Sequence, residues 1–201
     1  MRKVQIVLLV GSLLGFIADC TFYIHPDPFP KIPIQEQKYP YEVGIFIDTK
    51  QIDQVYSQSG YCLVGAAHTW KVQIGEGLER ASQRSFRSLF AQVKKISSLE
   101  EGKGNSINFV FVPSIRSFEI SQSISTGFFL KAIIYNRSGD VIYEKEVRGE
   151  TRGGGPFFIA CMCGVFGGES AFSDSVNSAF EDAFEKLCQD IMKTVDFNKI
   201  T

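Results

Sequence analysis

The chain has 201 residues, of which five are cysteines and two are histidines, and these side chains are the first whose chemistry has to be weighed. Cys161 and Cys163 form a C-x-C pair, a spacing that could open a metal or redox site. A structural zinc takes four well-spaced Cys or His ligands, but the histidines are His25 and His68, both far from the pair in sequence. Cys62 lies six residues before His68, so the two could be a nucleophile and its base. An even separation puts both on one face of a strand, yet six strand residues span about 20 Å, too far for a hydrogen bond. The sequence contains no H-E-x-x-H, no G-x-S-x-G and no Walker A loop. Gly153, Gly154 and Gly155 could offer amides to an anion, but Pro156 follows them without an N–H. No catalytic residue, metal ligand or cofactor is expected, and the buried-thiol or structural-disulfide reading of the cysteines is favoured.

Cys20 stands apart because of what precedes it. Arg2 and Lys3 form a short basic region, and Val4 to Ala18 is apolar apart from Gln5, Ser12 and two glycines. That run of about 15 residues has the length of a signal-peptide core and falls short of the roughly 20 needed to span a bilayer. Cleavage after Ala18 by the small-residue rule would put Phe16 at position −3, a poor fit. Ile17, Ala18, Asp19 and Cys20 instead resemble a bacterial lipobox, with Asp19 in a slot that normally holds a small neutral residue. The reading is a lipoprotein-type signal peptide over residues 1–19 and lipid attachment at Cys20. Plain secretion and an uncleaved anchor are the alternatives.

Five of the seven prolines follow closely: Pro26, Pro28, Pro30, Pro33 and Pro40. Alternating prolines stiffen a chain toward polyproline II and cannot join a helix or central strand. Residues 20–40 therefore read as the lipidated cysteine and a proline-rich tether, able to hold a domain about 50 Å from its anchor. Removal of residues 1–19 takes away two basic side chains and one acidic one, which leaves a net charge of about −2. Nucleic acid is not the expected partner of such a surface. If Cys20 is acylated, Cys62, Cys161, Cys163 and Cys188 remain, and three disulfide pairings are open.

Residues 41–201 read as a single domain. A first strand is expected at residues 41–50, an extended segment near 61–75, and a helix from Glu76 to Ile96 with Leu78, Ala81, Ser85, Leu89, Val93 and Ile96 on one face. Arg80, Arg84, Arg87 and Lys94 cover its other faces, a solvated surface or an anion-binding one. A strand bent at Pro113 and a hairpin around Asn136 to Asp140 follow. The last helix carries Val176, Phe180, Ala183, Leu187 and Ile191 as a core stripe. The fold class is α+β: two amphipathic helices packed on one face of a small, mostly antiparallel sheet.

Between the hairpin and the last helix lies residues 152–168, with six glycines, Pro156 and the apolar Phe157, Phe158, Ile159, Val165 and Phe166. The segment either closes one end of the core or is an exposed apolar patch. On the second reading Phe157, Phe158 and Phe166 are a partner or lipid contact.

The strand "VGIFIDTK", the stretch "IGEGLERASQRSFRSLF", the hairpin "NRSGDVIYEKEV" and "SVNSAFEDAFEKL" together resemble the periplasmic domains of small bacterial outer-membrane lipoproteins of the YajG-like, envelope-auxiliary type. The likeness runs over residues 41–195. It implies a domain at the outer membrane, in the periplasm or at the cell surface, held to the membrane through its N-terminal lipid. It implies a binding or scaffolding role without catalysis, or alternatively an auxiliary subunit that carries lipid or another hydrophobic ligand in envelope transport or assembly. Envelope proteins or lipid are the partners so implied.

Overall fold

The structure, a computed structural model, describes residues 20–33, 37–61, 67–104, 107–121, 125–151 and 168–199. Strand β1 (Cys20–Ile24) leads through the proline-rich stretch to β2 (Tyr39–Phe46) and the single turn α1 (Thr49–Ile52). Strands β3 (Tyr56–Tyr61) and β4 (Ala67–Val72) precede the long helix α2 (Ile74–Leu89). Then come β5 (Phe90–Ile96), the short α3 (Leu99–Gly104), β6 (Phe109–Ile120), β7 (Thr126–Asn136) and β8 (Val141–Glu150). Helix α4 (Gly168–Thr194) and a 3₁₀ turn (Phe197–Lys199) complete the described chain.

The α+β class is the one expected, and the sheets differ from the expectation in number and direction. There are two, in the orders β1-β4-β3 and β5-β2-β6-β7-β8. Strands β1 and β4, β2 and β5, and β2 and β6 pair in parallel, while β3–β4, β6–β7 and β7–β8 are antiparallel. The expected single, mostly antiparallel sheet gives way to two mixed ones because residues 20–24 and 90–96 add strands in parallel to β4 and β2. Residues 90–96 continue the apolar spacing of α2, yet they form β5, in register with β2 from Tyr39↔Phe90 to Phe46↔Ile96. The helix stops at Leu89, and Phe90 turns extended at φ −115°, ψ 150°. A parallel partner for β2 outweighs two further helical turns, the usual override of local period by tertiary pairing. The register irregularity of β6 falls between Ile115 and Ser117, while Pro113 keeps its place opposite Ala132.

Both long helices lie against the same face of the five-stranded sheet and share one core with it. Leu78, Ala81, Phe86 and Leu89 of α2 and Val176, Phe180, Ala183, Leu187 and Ile191 of α4 are fully enclosed. They meet Val43 and Ile45 of β2, Phe109 and Phe111 of β6, and Phe128 and Leu130 of β7. Phe86 stacks on Phe111 at 4.0 Å between centroids, and Phe180 lies 4.7 Å from Phe128. Burying each such ring stabilises by about 1.5–3 kcal/mol relative to leaving it exposed. The alternate residues, Gly44 and Val110, face the other side, where Ile96 and Ile107 form a small second cluster with Leu99 of α3 packed against it.

One glycine is required by the backbone approach of α1 to α2. A Cβ on Gly75 would stand 2.0 Å from the Ile52 carbonyl oxygen and 2.3 Å from that of Gln51. Aspartate 48 caps α1 by accepting from the Lys50 N–H at 2.8 Å.

The proline-rich stretch does not stand off as a spacer over residues 20–33. Ile24 and Ile32 belong to the core, at 1% and 8% exposure, and Pro26 and Pro28 are buried. The chain between them is seated on the two long helices.

Candidate functional site

Cys20, the candidate attachment residue, is the first residue of β1, and its Cα is paired with that of His68 in β4, which in turn pairs with Gly60 of β3. The next residues fix β1 to the domain. Phe22 stacks on Trp70 at 4.7 Å, and Trp70 stacks on Phe172 of α4 at 4.2 Å. One aromatic column thus joins β1, β4 and the start of α4. Tyr23, half exposed, has the Lys71 ammonium 5.5 Å from its ring centroid.

Beyond Ile24 the chain becomes a strap over α2 and α4. Prolines at 26, 28 and 30 have no N–H, so Asp27, Phe29 and Lys31 are the donors in this stretch, and each is satisfied by α4. The Asp27 N–H donates to Asn177 Oδ1 at 2.8 Å, the Phe29 N–H to Glu181 Oε1 at 2.9 Å, and the Lys31 N–H to Glu185 Oε1 at 2.9 Å. The intervening carbonyls are read by α2. Arg80 Nη1 donates to the Pro26 oxygen at 3.1 Å and Arg84 Nη1 to the Pro28 oxygen at 2.6 Å.

The ladder works because two repeats match. Two residues of proline-rich extended chain advance about 6.2 Å, and four residues of helix advance about 6.0 Å. Every second strap residue therefore meets every fourth helix residue: 27, 29 and 31 against 177, 181 and 185, and 26 and 28 against 80 and 84. Arg84 also pairs with Asp27 at 2.8 Å and lies 3.6 Å over the Phe29 ring. His25 Nδ1 is 3.1 Å from Glu76 Oε2. Beneath the strap, a Cβ on Gly77 would come within 2.9 Å of both Pro26 and Phe180, so glycine lets the proline and the phenylalanine close on α2.

These partners were not singled out from the sequence. Arg80 and Arg84 read as a solvated face, and the acidic residues of α4 as lying away from the core. Glu185 is in fact only 8% exposed. The signal lay in the matched spacing of the polar residues 177, 181 and 185 with the prolines.

Phe157, Phe158 and Phe166 lie outside the described residues, as do Cys62, Cys161 and Cys163. Cys188 is buried, which pushes its thiol up to about 12. Near the far end of α4, Asp190 accepts from the Tyr143 hydroxyl at 2.8 Å and from the Lys145 ammonium. The Lys145 hydrogen bond holds the Asp190 carboxyl below its ordinary range, and burial, with Asp190 beside it, raises the Tyr143 phenol. Among the described residues no group of three or more His, Cys, Asp or Glu could hold a metal ion, and no helix is long and apolar enough to cross a membrane. An open cleft of about 360 Å³ lies where β6, β7 and β8 end, with Arg148 between Glu119 and Glu150. Its one guanidinium is thus shared between two carboxylates.

Among solved structures, the chain is similar to the crystal structure of protein XCC0632 from Xanthomonas campestris, of the family model DUF330. The TM-score is 0.53 at 12% identity, over 90% of this chain and 99% of that one. Dodecamers of PelC from Paraburkholderia phytofirmans, in two crystal forms, align with a TM-score of 0.43 at 12% and 13% identity, over 74% and 78% of this chain and 89% and 91% of theirs. No family model and no curated protein matches the sequence. At these identities the likeness to the Xanthomonas protein establishes a shared fold.

Proposed function

We propose that this protein is a lipid-anchored, non-catalytic binding or scaffolding module of the bacterial cell envelope. It is held at the outer membrane through acyl chains on Cys20, with its domain in the periplasm or at the cell surface. The observation that carries this reading is the apolar run of residues 4–18, which stops at the lipobox-like Ile17-Ala18-Asp19-Cys20. The basic Arg2 and Lys3 before it and the resemblance to YajG-like lipoproteins support the same reading. Fractionation of native envelopes tests it. The wild-type protein stays with the membrane in high salt, and Cys20→Ser moves it to the soluble fraction. A Cys20→Ser protein that stays in the membrane removes the anchor from the account.

The contact with envelope proteins or lipid is assigned in this reading to Phe157, Phe158 and Phe166. Replacing all three with Ser leaves the thermal melt near wild type and abolishes cross-links to membrane-fraction partners. An early melt instead makes them part of the core.

A further inference from the structure

We infer that the domain sits directly on the bilayer to which it is anchored, with the end of the three-stranded sheet that holds Cys20, His68 and Gly60 facing the lipid headgroups. The inference rests on the anchoring proposed above and adds where the domain stands and which surface meets the membrane.

The slack in the chain after the anchor sets how far the domain can stand from the bilayer. A free proline-rich stretch after the anchor would let the domain stand about 50 Å away. The chain has no such freedom here. From Cys20 to Ile24 it is hydrogen-bonded in parallel register to β4. From Asp27 to Lys31 each available N–H is held by α4, and two of the carbonyls are held by α2. Ile24 and Ile32 lock the two ends of the strap into the core. For the domain to stand off by the length of a free spacer, the β1 ladder, the aromatic column and the strap would all have to open.

Acyl chains on Cys20 therefore bring the edge of the folded body to the headgroups, since the attachment residue is itself part of the sheet. At about 3.3 Å per residue, Tyr23 stands about 10 Å along the strand from the anchor. Its half-exposed ring carries the Lys71 ammonium at its face. An aromatic ring with a polar tip and a lysine on an apolar stem are the side chains suited to the boundary between headgroups and water. Among the described residues, neither Tyr56–Tyr61 nor the paired Ala67–Trp70 includes an Asp or Glu, so these strands bring no carboxylate against anionic lipid.

The chain's single tryptophan is a built-in ruler. Trp70 is the Cα partner of Phe22, two residues from the anchor, and so stands within about 10 Å of Cys20. The acylated full-length protein is reconstituted into vesicles of phosphatidylethanolamine and phosphatidylglycerol that contain dansyl-phosphatidylethanolamine, and energy transfer from Trp70 to the dansyl headgroups is measured. A second protein carries twelve Gly and Ser residues inserted between Cys20 and Thr21, a flexible tether of roughly 20 Å. A third carries Asn177→Ala, Glu181→Ala and Glu185→Ala. Direct seating predicts strong transfer in the wild type, a fall of roughly twofold or more with the insertion, and faster trypsin cleavage after Lys31 in the triple variant. Equal transfer from the wild type and the insertion protein overturns the inference, whatever the folding of the triple variant. Failure of the underlying reading looks different: a wild-type protein without acyl mass does not float with the vesicles at all.

Discussion

The Arg84 guanidinium donates to the Pro28 carbonyl oxygen at 2.6 Å while lying 3.6 Å over the ring of Phe29. One side chain thus holds two consecutive strap residues by different means, and a third through its ion pair with Asp27. A basic residue on the outer face of a helix is ordinarily solvated and dispensable. This one is part of the fold because the strap crosses it.

Arg84→Ala is therefore expected to cost about 1–2 kcal/mol in urea unfolding, the scale of a hydrogen bond to a charged group tempered by its partial exposure. Trypsin should also cut after Lys31 faster than in the wild type. A change below about 0.5 kcal/mol, as for an ordinary surface substitution, shows that the strap is not held as described.

The helices α2 and α4 were legible because their apolar residues recur at three and four, and Leu78, Ala81, Phe180 and Leu187 are core residues as that spacing requires. The hairpin β7–β8 was legible from its turn, where Gly139 has φ 88°. The strap was not, because proline reads locally as a breaker. Its role here is complementary: each proline removes a donor that neither helix would have satisfied. Strand β5 was hidden because Val93 and Ile96 fit a helical stripe and a strand equally well, and the choice is made by β2, nearly fifty residues away. Cys20 could be singled out as a candidate attachment residue from sequence alone. That it begins a paired strand could not, since Cys20 to Ile24 finds its partner only in β4.

Phe180 tests the core. It is fully buried, and its ring meets Phe128 and the space left by Gly77. Phe180→Ala is expected to destabilise by about 3–5 kcal/mol, the combined cost of lost burial and the cavity left behind. Chemical denaturation measures it, and a loss under about 1 kcal/mol would place the ring outside the core.

Asp190 gives the stability a pH dependence of known sign. Its carboxyl is held low in the folded protein by Lys145 and Tyr143. The folded state then binds fewer protons than the unfolded one in the acid range. The contribution is fully present above the ordinary aspartate pKa of about 3.9 and is lost as pH falls through the lower folded value. Asp190→Asn should lower stability at pH 7, with the difference from wild type shrinking below about pH 4. Tyr143, raised in the folded state, adds the opposite limb: stability falls as pH rises above about 10, and Tyr143→Phe flattens that fall. Unfolding midpoints across pH would read both limbs.

The central claim is that the mature protein begins at Cys20 and carries lipid there. Intact-mass spectrometry of protein extracted from native envelopes tests it most directly. The account predicts the mass of residues 20–201 plus acyl chains, with the added mass mapping to the N-terminal peptide that contains Cys20. A chain with an unmodified Cys20, or with its N-terminus at any other residue, contradicts it.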